Sequence, residues 1–240
     1  MQLMISVVSS EEASAALSGG ADILDIKNPA EGSLGANFPN VIREIRAIAP
    51  RPVQVSAAIG DMPNLPGTAA LAALGGASCG VDYIKVGLLG PQNAEQAIYL
   101  LQAVKQALHD YPNTAVIAAG YADARRAGTL EPQLIPRIAR EAGMTGCLLD
   151  TYVKDGRRLF DFLDVETLHA LAEETHAANM LFALAGALQA EDLLVARDLG
   201  ADIVGVRTAV CRENQRRGTL DPERVRILHN ILAPTVFTRA

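Results

Sequence analysis

The stretch Gly80-Val81-Asp82-Tyr83-Ile84 joins the end of a predicted helix to the start of a predicted strand. The same plan occurs at Gly20-Ala21-Asp22-Ile23-Leu24 and at Gly200-Ala201-Asp202-Ile203-Val204. Each copy has a glycine, which suits the left-handed turn after a helix, then a small apolar residue, an aspartate and an apolar run. This repeat indicates a chain built from successive helix–strand units.

Eight short apolar runs are predicted to be strands, and longer amphipathic segments separate them. The strands are predicted at Leu3–Val8, Asp22–Lys27, Val53–Ile59, Asp82–Leu88, Ala115–Tyr121, Gly146–Tyr152, Leu181–Leu188 and Asp202–Arg207. Helices are predicted at Asn40–Ile48, Asn93–Leu108, Pro132–Ala142 and Val165–Asn179. The first helix is expected to begin with a capping box of Ser9 and Glu12. Apolar strands that alternate with helices are typical of a parallel sheet covered by helices.

The number of units favours a closed barrel over an open doubly wound sheet. No Gly-x-Gly-x-x-Gly fingerprint follows the first strand, which also argues against a dinucleotide-binding fold. A chain of 240 residues is close to the roughly 250 residues typical of a (β/α)8 TIM barrel. We therefore predict an α/β protein with a single (β/α)8 TIM barrel domain over residues 1–240.

Composition and charge argue against several classes of binding partner. The net charge is −6 and the pI is near 5.2, which argues against nucleic acid, because phosphate backbones recruit an excess of Lys and Arg. No run approaches the ~20 apolar residues of a membrane span, and the N-terminus does not resemble a signal peptide. A soluble, cytoplasmic protein with reduced cysteines is expected. The histidines all fall in segments that look helical, and no cluster has ligand spacing, so no metal site is expected.

Charged residues occur where the predicted strands end, at the rim that carries active sites in such barrels. Asp25 and Lys27 end the second strand and share a face, because strand side chains alternate. Lys85 interrupts the apolar fourth strand. Asp150 ends the sixth strand, and Lys154 follows in the next loop. We expect these five side chains to meet in one site.

The chemistry expected of this set is that of a lysine nucleophile. A lysine inside an apolar strand must reach solvent or a polar partner, because burying it unpaired is costly. Lys85 therefore indicates function, whereas Lys154 could be only solvated and Lys27 could form a structural ion pair with Asp25. Two lysines in one low-dielectric site lower the pKa of at least one of them, which leaves a neutral amine able to form a Schiff base. The carboxylates would carry protons.

Loops at this rim are candidates for substrate contacts. Residues 28–37 and 60–68 are rich in turn formers, and the second segment could act as a lid, although both could be plain connections. Phosphate sites in these barrels often use the loops after strands seven and eight. Here those loops are Ala185-Gly186-Ala187 and Gly205-Val206-Arg207-Thr208, with backbone N–H groups and one guanidinium. Alternatively, the glycines serve tight turns and Arg207 pairs with a rim carboxylate.

One long motif closely resembles a known family. The segment Asp25-Ile26-Lys27-Asn28-Pro29-x-Glu31-Gly32-Ser33-Leu34-Gly35-Ala36-Asn37 resembles the signature of (5-formylfuran-3-yl)methyl phosphate synthase of methanofuran biosynthesis, also called 4-(hydroxymethyl)-2-furancarboxaldehyde-phosphate synthase. The similarity covers nearly the whole chain and continues through Ile84–Gly87, Ala118–Asp123, Leu149–Thr151, Lys154–Gly156, Leu184–Gly186 and Val204–Arg207.

The resemblance implies a barrel enzyme, a carbon–oxygen lyase acting on phosphates, that condenses two glyceraldehyde-3-phosphate molecules into a furan aldehyde phosphate and releases phosphate and water. By the same resemblance, Lys27 forms the Schiff base, Lys85 accepts a proton, and Asp25, Asp150 and Lys154 assist proton transfer and phosphate departure. Substrate or phosphate contacts are expected from Asn28, Ser33, Gly120, Asp123, Gly186, Gly205 and Arg207. Ala187 and Thr208 depart from the pattern expected at the phosphate loops.

Other functions stay open on the residues alone. They are another Schiff-base aldolase or transaldolase acting on a small sugar phosphate, a metal-dependent sugar-phosphate epimerase, and a barrel that binds a phosphorylated regulator without turnover. The lack of a histidine at any predicted strand end argues against the epimerase. The expected partner is a phosphorylated triose, with no cofactor, no metal, no nucleic acid and no membrane. The chain is also expected to form a homo-oligomer through its outer helices.

Overall fold

The structure of the protein is a computed structural model, and it describes residues 1–233. Eight parallel strands form a closed barrel in the order of the sequence, and β8 pairs with β1 to complete it. Helices follow the strands and cover the barrel from outside. The predicted TIM barrel is therefore confirmed, while the predicted domain boundary at residue 240 lies outside the described residues.

The strand bounds show where the ladder of backbone hydrogen bonds ends. The strands are β1 (Gln2–Val7), β2 (Ile23–Ile26), β3 (Gln54–Asp61), β4 (Tyr83–Gly87), β5 (Ala115–Tyr121), β6 (Gly146–Asp150), β7 (Leu181–Leu184) and β8 (Ile203–Val206). Six of the predicted strands were too long at the C-terminal rim, where Lys27, Arg207 and residues 185–188 lie in loops, whereas β3 extends two residues beyond its predicted end at Ile59. Gly186 and Ala187 have φ of 109° and 53°, which breaks the extended backbone of that last segment.

The helices are α1 (Ser10–Gly19), α2 (Pro39–Ile48), α3 (Pro66–Ala77), α4 (Ala94–Ala107), α5 (Ala124–Ala127), α6 (Ile135–Ala142), α7 (Val165–Ala177), α8 (Ala190–Asp198) and α9 (Pro222–Leu232). The predicted loop 60–68 is shorter than expected, because its first residues belong to β3 and its last to α3. His109 lies in a turn just after α4, so the expectation of a helical position was wrong there. Within residues 1–233, none of the helices combines the length and the hydrophobicity that a membrane span requires.

The N-cap of α1 forms half of the predicted capping box. The Ser9 side chain accepts a hydrogen bond from the Glu12 N–H at 3.4 Å. The Glu12 carboxylate accepts from the Val8 N–H at 3.0 Å and not from that of Ser9. Glu12 turns instead toward the barrel rim, where it meets Arg207.

The glycine–aspartate repeat has a structural explanation at the N-terminal end of the barrel. Asp22 accepts a hydrogen bond from the Leu3 N–H, and Asp82 accepts one from the Val55 N–H, each at 2.8 Å. Asp202 does the same for the Phe182 N–H at 2.8 Å. Each aspartate thus binds a backbone donor at the base of the preceding strand, which satisfies a group that the ladder leaves free.

The barrel interior changes from apolar to charged toward the site. Near the N-terminal end, Gln2, Gln54 and Tyr83 form a chain of hydrogen bonds. The middle is an apolar layer made of Met4, Ile23, Ile117, Leu148 and Ile203. Above it the inward-facing residues become Ser6, Asp25, Lys85 and Asp150, all of them buried. The larger hydrophobic cluster lies between the strands and the helices, and the charged groups lie above the apolar layer inside the barrel.

Candidate active site

Lys27 lies at the centre of a buried charge cluster. Its Nζ is 4.0 Å from an oxygen of Asp25 and 4.0 Å from an oxygen of Asp150. Lys85 Nζ is 2.5 Å from Asp25 Oδ1, and Lys154 Nζ is 2.6 Å from Asp150 Oδ1. The structure thus brings together all five residues predicted to be catalytic, in an alternating row of cations and carboxylates.

Neighbouring polar groups fix both carboxylates. The Ser6 hydroxyl donates to Asp25 Oδ2 at 3.0 Å. The Thr151 N–H donates to Asp150 Oδ1 at 2.7 Å, and Lys154 also reaches Thr151 Oγ1 at 3.2 Å. Asp25 Oδ1 accepts no well-aligned hydrogen bond within residues 1–233, so its contact with Lys85 is an ion pair. These contacts hold the carboxylates on either side of the Lys27 amine.

Burial lowers the pKa values of two lysines of the cluster, Lys27 and Lys154. Burial lowers the pKa of Lys27 to about 8, because the attraction of Asp150 and Asp25 offsets only part of the desolvation, and Lys85 and Lys154 oppose the charge further. Burial would raise the pKa values of Asp150 and Asp25, but the nearby lysines outweigh it and hold both below their usual range. The cluster therefore keeps both carboxylates ionised while a substantial fraction of Lys27 is neutral near pH 8.

A cavity of about 240 Å³ opens above this cluster at the C-terminal end of the barrel. It is lined by Ser6, Lys27, Asp150, Lys154, Gly156, Arg157, Ala185, Gly186, Ala187, Gln189, Gly205, Val206, Arg207, Thr208, Asn214 and Arg216. Asp25 and Lys85 lie beneath Lys27 and do not line it. Lys27 and Lys154 are therefore the amines that a ligand in the cavity would meet, with Lys85 behind Lys27.

Two of the predicted binding residues hold loops in place. The Ser33 N–H donates to Asp61 Oδ2 at 2.7 Å, and the Ser33 hydroxyl donates to the Thr151 carbonyl at 2.9 Å. Asp123 accepts from the N–H groups of Tyr152 and Val153, at 2.6 Å and 2.9 Å. Both side chains are buried. Their hydrogen bonds position the loops after β2 and β6, which carry Lys27 and Lys154.

The other predicted binding residues are divided between the cavity and its surroundings. Gly186 and Gly205 line the cavity. Asn28 bonds within its own loop, to the Ala30 N–H at 3.1 Å. Gly120 faces the helix layer, since a Cβ there would lie 2.4 Å from Ile135 Cγ1. The structure therefore does not bring Gly120 to the cavity.

Arg207 reaches the rim, but its donors are already used. Its guanidinium pairs with Glu12 at 2.7 Å and 3.1 Å. It also donates to the Ser6 carbonyl at 2.9 Å and to the Arg216 carbonyl at 2.7 Å. This arrangement agrees with the alternative interpretation, in which Arg207 pairs with a rim carboxylate.

Several residues of the site were not named from the sequence. Ser6 interrupts an apolar strand as Lys85 does, so the same signal could have identified it. Asp61 ends β3, where its carboxylate accepts the Tyr121 hydroxyl and the Ser33 N–H. Arg216 lies in an arginine-rich loop in which no sequence feature separates it from its neighbours.

Solved structures of other proteins share the fold. Phosphoribosyl anthranilate isomerase from Thermus thermophilus aligns with a TM-score of 0.63 at 19% identity, covering 97% of this chain and 98% of that one. 3-Hexulose-6-phosphate synthase aligns with a TM-score of 0.64 at 18% identity, covering 97% of this chain and 100% of that one. At such identities the likeness supports the barrel alone.

Sequence relatives are much closer. A chain from Methanocaldococcus jannaschii named (5-formylfuran-3-yl)methyl phosphate synthase is 48% identical over 233 residues, covering 96% of this chain and 99% of the relative. One of the same name from Methanopyrus kandleri is 49% identical over 234 residues, covering 97% and 99%. The family described as 4-HFC-P synthase matches residues 3–229. With the buried lysine–carboxylate row on a TIM barrel, these matches place the chain in the 4-HFC-P synthase family of enzymes.

Proposed function

We propose that the protein is a (5-formylfuran-3-yl)methyl phosphate synthase that condenses two glyceraldehyde-3-phosphate molecules through an imine on Lys27. The observation that carries this proposal is the position of Lys27, whose amine has a pKa lowered to about 8 between two carboxylates at the floor of the cavity. The name shared by relatives at 48% and 49% identity supports the choice of reaction. The product would serve methanofuran-type cofactor biosynthesis, and the reaction would take place in the cytoplasm.

In the first step the neutral Lys27 amine attacks the aldehyde carbon of one triose phosphate. Loss of water gives a protonated imine, which draws electrons from the neighbouring carbon and allows its C–H to be deprotonated to an enamine. Lys85 serves as the proton acceptor after its ammonium has passed a proton to Asp25, with which it forms a 2.5 Å pair. Proximity to two buried carboxylates stabilises the positive charge that develops on the Lys27 imine.

In the second step the enamine expels its own phosphate, which turns its terminal carbon into the nucleophile. This carbon attacks the central carbon of the other triose phosphate, isomerised from the aldehyde to the ketone, and forms the new C–C bond. The Lys154 ammonium, paired with the Asp150 carboxylate at 2.6 Å, protonates the developing alkoxide and assists departure of one phosphate. Dehydration and ring closure then release Lys27 and yield the aromatic furan. The atoms balance as 2 C3H7O6P → C6H7O6P + H3PO4 + 2 H2O, with no net oxidation and no need for a cofactor.

Product analysis tests this proposal. The purified protein is incubated with glyceraldehyde-3-phosphate alone, and a furan aldehyde phosphate is sought by ultraviolet absorbance and mass spectrometry, with released phosphate measured in parallel. We expect furan and phosphate in equal amounts from the wild type. Lys27→Ala should abolish both, whereas Lys105→Ala on the exposed surface of α4 should leave both unchanged.

The outcomes separate the open alternatives. A sugar phosphate without a conjugated aldehyde would indicate an ordinary imine-forming aldolase and contradict the synthase assignment. Furan formation that survives Lys27→Ala would contradict the imine mechanism while leaving the product assignment intact.

A further inference from the structure

The cavity above Lys27 carries a guanidinium that the proposed catalytic steps do not use. Arg216 lies on the loop between β8 and α9 and lines the cavity together with Lys27 and Lys154. Its Nη2 atom is buried and has no hydrogen-bond partner within residues 1–233. Burying a charged donor without a partner is energetically unfavourable. A ligand that supplies hydrogen-bond acceptors would therefore lower the free energy of the folded protein at this position.

The backbone of Arg216 is held in place by Arg207. The Arg207 guanidinium uses four of its five N–H donors within the protein, two of them on Glu12, one on the Ser6 carbonyl and one on the Arg216 carbonyl. Arg207 therefore has little left to offer a phosphate. Its contacts instead fix the loop so that the next guanidinium along the chain, that of Arg216, borders the cavity.

Backbone donors border the same cavity beside β7. The left-handed backbone at Gly186 and Ala187 belongs to residues that line the cavity. Neither N–H donates to an acceptor within the part of the chain that the structure describes. Successive free N–H groups in such a turn are a common setting for anion binding.

The charge around the cavity also suits an anion. Lys27, Lys154, Arg157 and Arg216 line it, and Asp150 is the carboxylate among the lining residues. Asp150 is already paired with Lys154 at 2.6 Å. Burial lowers the pKa of Arg216, and the attraction of Asp150 only partly offsets this, because Arg207 and Arg217 add repulsion.

We propose that Arg216, rather than Arg207, provides the guanidinium that binds a substrate phosphate, with the Gly186 and Ala187 N–H groups completing the subsite. The inference rests on the proposed function only in taking the ligand to be a phosphorylated triose. A planar guanidinium can donate two parallel hydrogen bonds to phosphate oxygens, which anchors one end of the substrate. The aldehyde at the other end is then presented to Lys27.

The first test measures binding without reaction. Glycerol 3-phosphate has no carbonyl carbon to attack, so its affinity for the protein, measured by isothermal titration calorimetry, reports the phosphate subsite alone. Arg216→Gln and Arg216→Ala should each weaken binding by about tenfold or more, as expected for loss of a charge-assisted hydrogen bond. Arg217→Ala, an exposed neighbour that does not line the cavity, should bind as the wild type does. Circular dichroism checks that each variant is folded.

The second test measures preference for the phosphate during imine trapping. Cyanoborohydride trapping is compared for glyceraldehyde-3-phosphate and for unphosphorylated glyceraldehyde. Arg216→Gln should raise the half-saturating concentration of the phosphorylated aldehyde about tenfold and leave that of glyceraldehyde unchanged. An equal effect on both aldehydes, or unchanged affinity for glycerol 3-phosphate, would overturn the inference. If the wild type traps neither aldehyde, the imine mechanism fails, and the glycerol 3-phosphate result still decides the role of Arg216.

Discussion

The pKa of Lys27 is set by a balance between burial and the attraction of two carboxylates. Lys27 lies 4.0 Å from each of the two carboxylates, yet its pKa is lowered to about 8 because desolvation outweighs them. Lys27 is therefore an amine of lowered pKa that lies between two carboxylates, at a distance from both.

The rate of imine formation should follow the titration of Lys27. Only the neutral amine attacks an aldehyde, and its fraction increases as the pH rises through about 8. Cyanoborohydride trapping at subsaturating triose phosphate should accelerate about tenfold between pH 7 and pH 9 and then level off. In Asp150→Asn the midpoint should move to lower pH, because Asp150 supports the charged form. A wild-type rate that does not change over this range would argue against Lys27 as the nucleophile.

Whether a site residue can be predicted from the sequence depends on the residues that surround it in the chain. Lys85 stands out because it interrupts an apolar strand, and Lys27 because it ends one. Arg207 was also conspicuous, yet its pairing with Glu12 could not be foreseen, since the two residues are 195 positions apart. Arg216 was missed because its position is set by the Arg207 contact with its backbone and not by a local pattern.

At the scale of elements, the loops of the site are held by buried polar contacts between units. The Glu12–Arg207 pair connects α1 to the end of β8. Arg207 also holds the loop of Arg216 by donating a hydrogen bond to the Arg216 carbonyl. Asp61 at the end of β3 holds the loop after β2 through the Ser33 N–H. Asp123 after β5 holds the loop after β6. Each unit thus positions the active-site loop of another.

Removing one member of the Glu12–Arg207 pair should destabilise the fold strongly. Both side chains are largely buried, with exposures of 11% and 6%, so a single substitution leaves an unpaired charge. Glu12→Gln and Arg207→Met should each lower the free energy of unfolding by about 3 kcal/mol or more. The double variant should lose less than the sum, which denaturant unfolding of the full cycle measures. Additive losses would mean that the two groups do not interact.

The aspartates of the repeat should contribute to stability and not to turnover. Asp22→Ala leaves the Leu3 N–H without its 2.8 Å acceptor and should cost about 1–3 kcal/mol of unfolding free energy. The change lies at the end of the barrel opposite to the site, so kcat should stay as in the wild type. Asp110→Ala, whose side chain is 91% exposed, is the matched control. A large loss of kcat in folded Asp22→Ala would contradict a purely structural role.

Element ends were harder to predict than elements. The eight strands were all placed from apolar runs, but the run at 181–188 continues past the end of β7 at Leu184. Hydrophobicity alone cannot reveal the left-handed backbone at Gly186 and Ala187 that ends the strand. The same limit applies to β3, which extends through Asp61 because its polar end still pairs with β4.

At the scale of the molecule, the closed barrel was predictable because alternating strands and helices leave few alternatives. The site was predictable as a region for a related reason, since the fold gathers all strand ends at one rim.

The buried charge at this rim lowers the stability of the fold. A lysine with a pKa of about 8 in the folded chain, against 10.5 ordinarily, opposes folding at every pH below about 8, and this penalty disappears as the pH rises toward 10.5.

Replacing Lys27 by an apolar side chain should therefore stabilise the whole protein. Lys27→Met removes the desolvated charge, while Asp25 keeps Lys85 and Asp150 keeps Lys154. At pH 7 the free energy of unfolding should rise by on the order of 1–3 kcal/mol, with loss of turnover. Thermal unfolding at pH 7 and pH 10 measures the difference, which should shrink at the higher pH. Lys105→Met on the surface is the control, and a less stable Lys27→Met would show that the ion pairs outweigh the burial.

The most direct measurement is peptide mass spectrometry of the protein after cyanoborohydride reduction in the presence of glyceraldehyde-3-phosphate. The account predicts one reduced triose adduct, located on Lys27 and lost in Lys27→Ala, while Lys85 and Lys154 stay unmodified. An adduct on Lys85 or Lys154 in the wild type, or furan production with no adduct on Lys27, would contradict it.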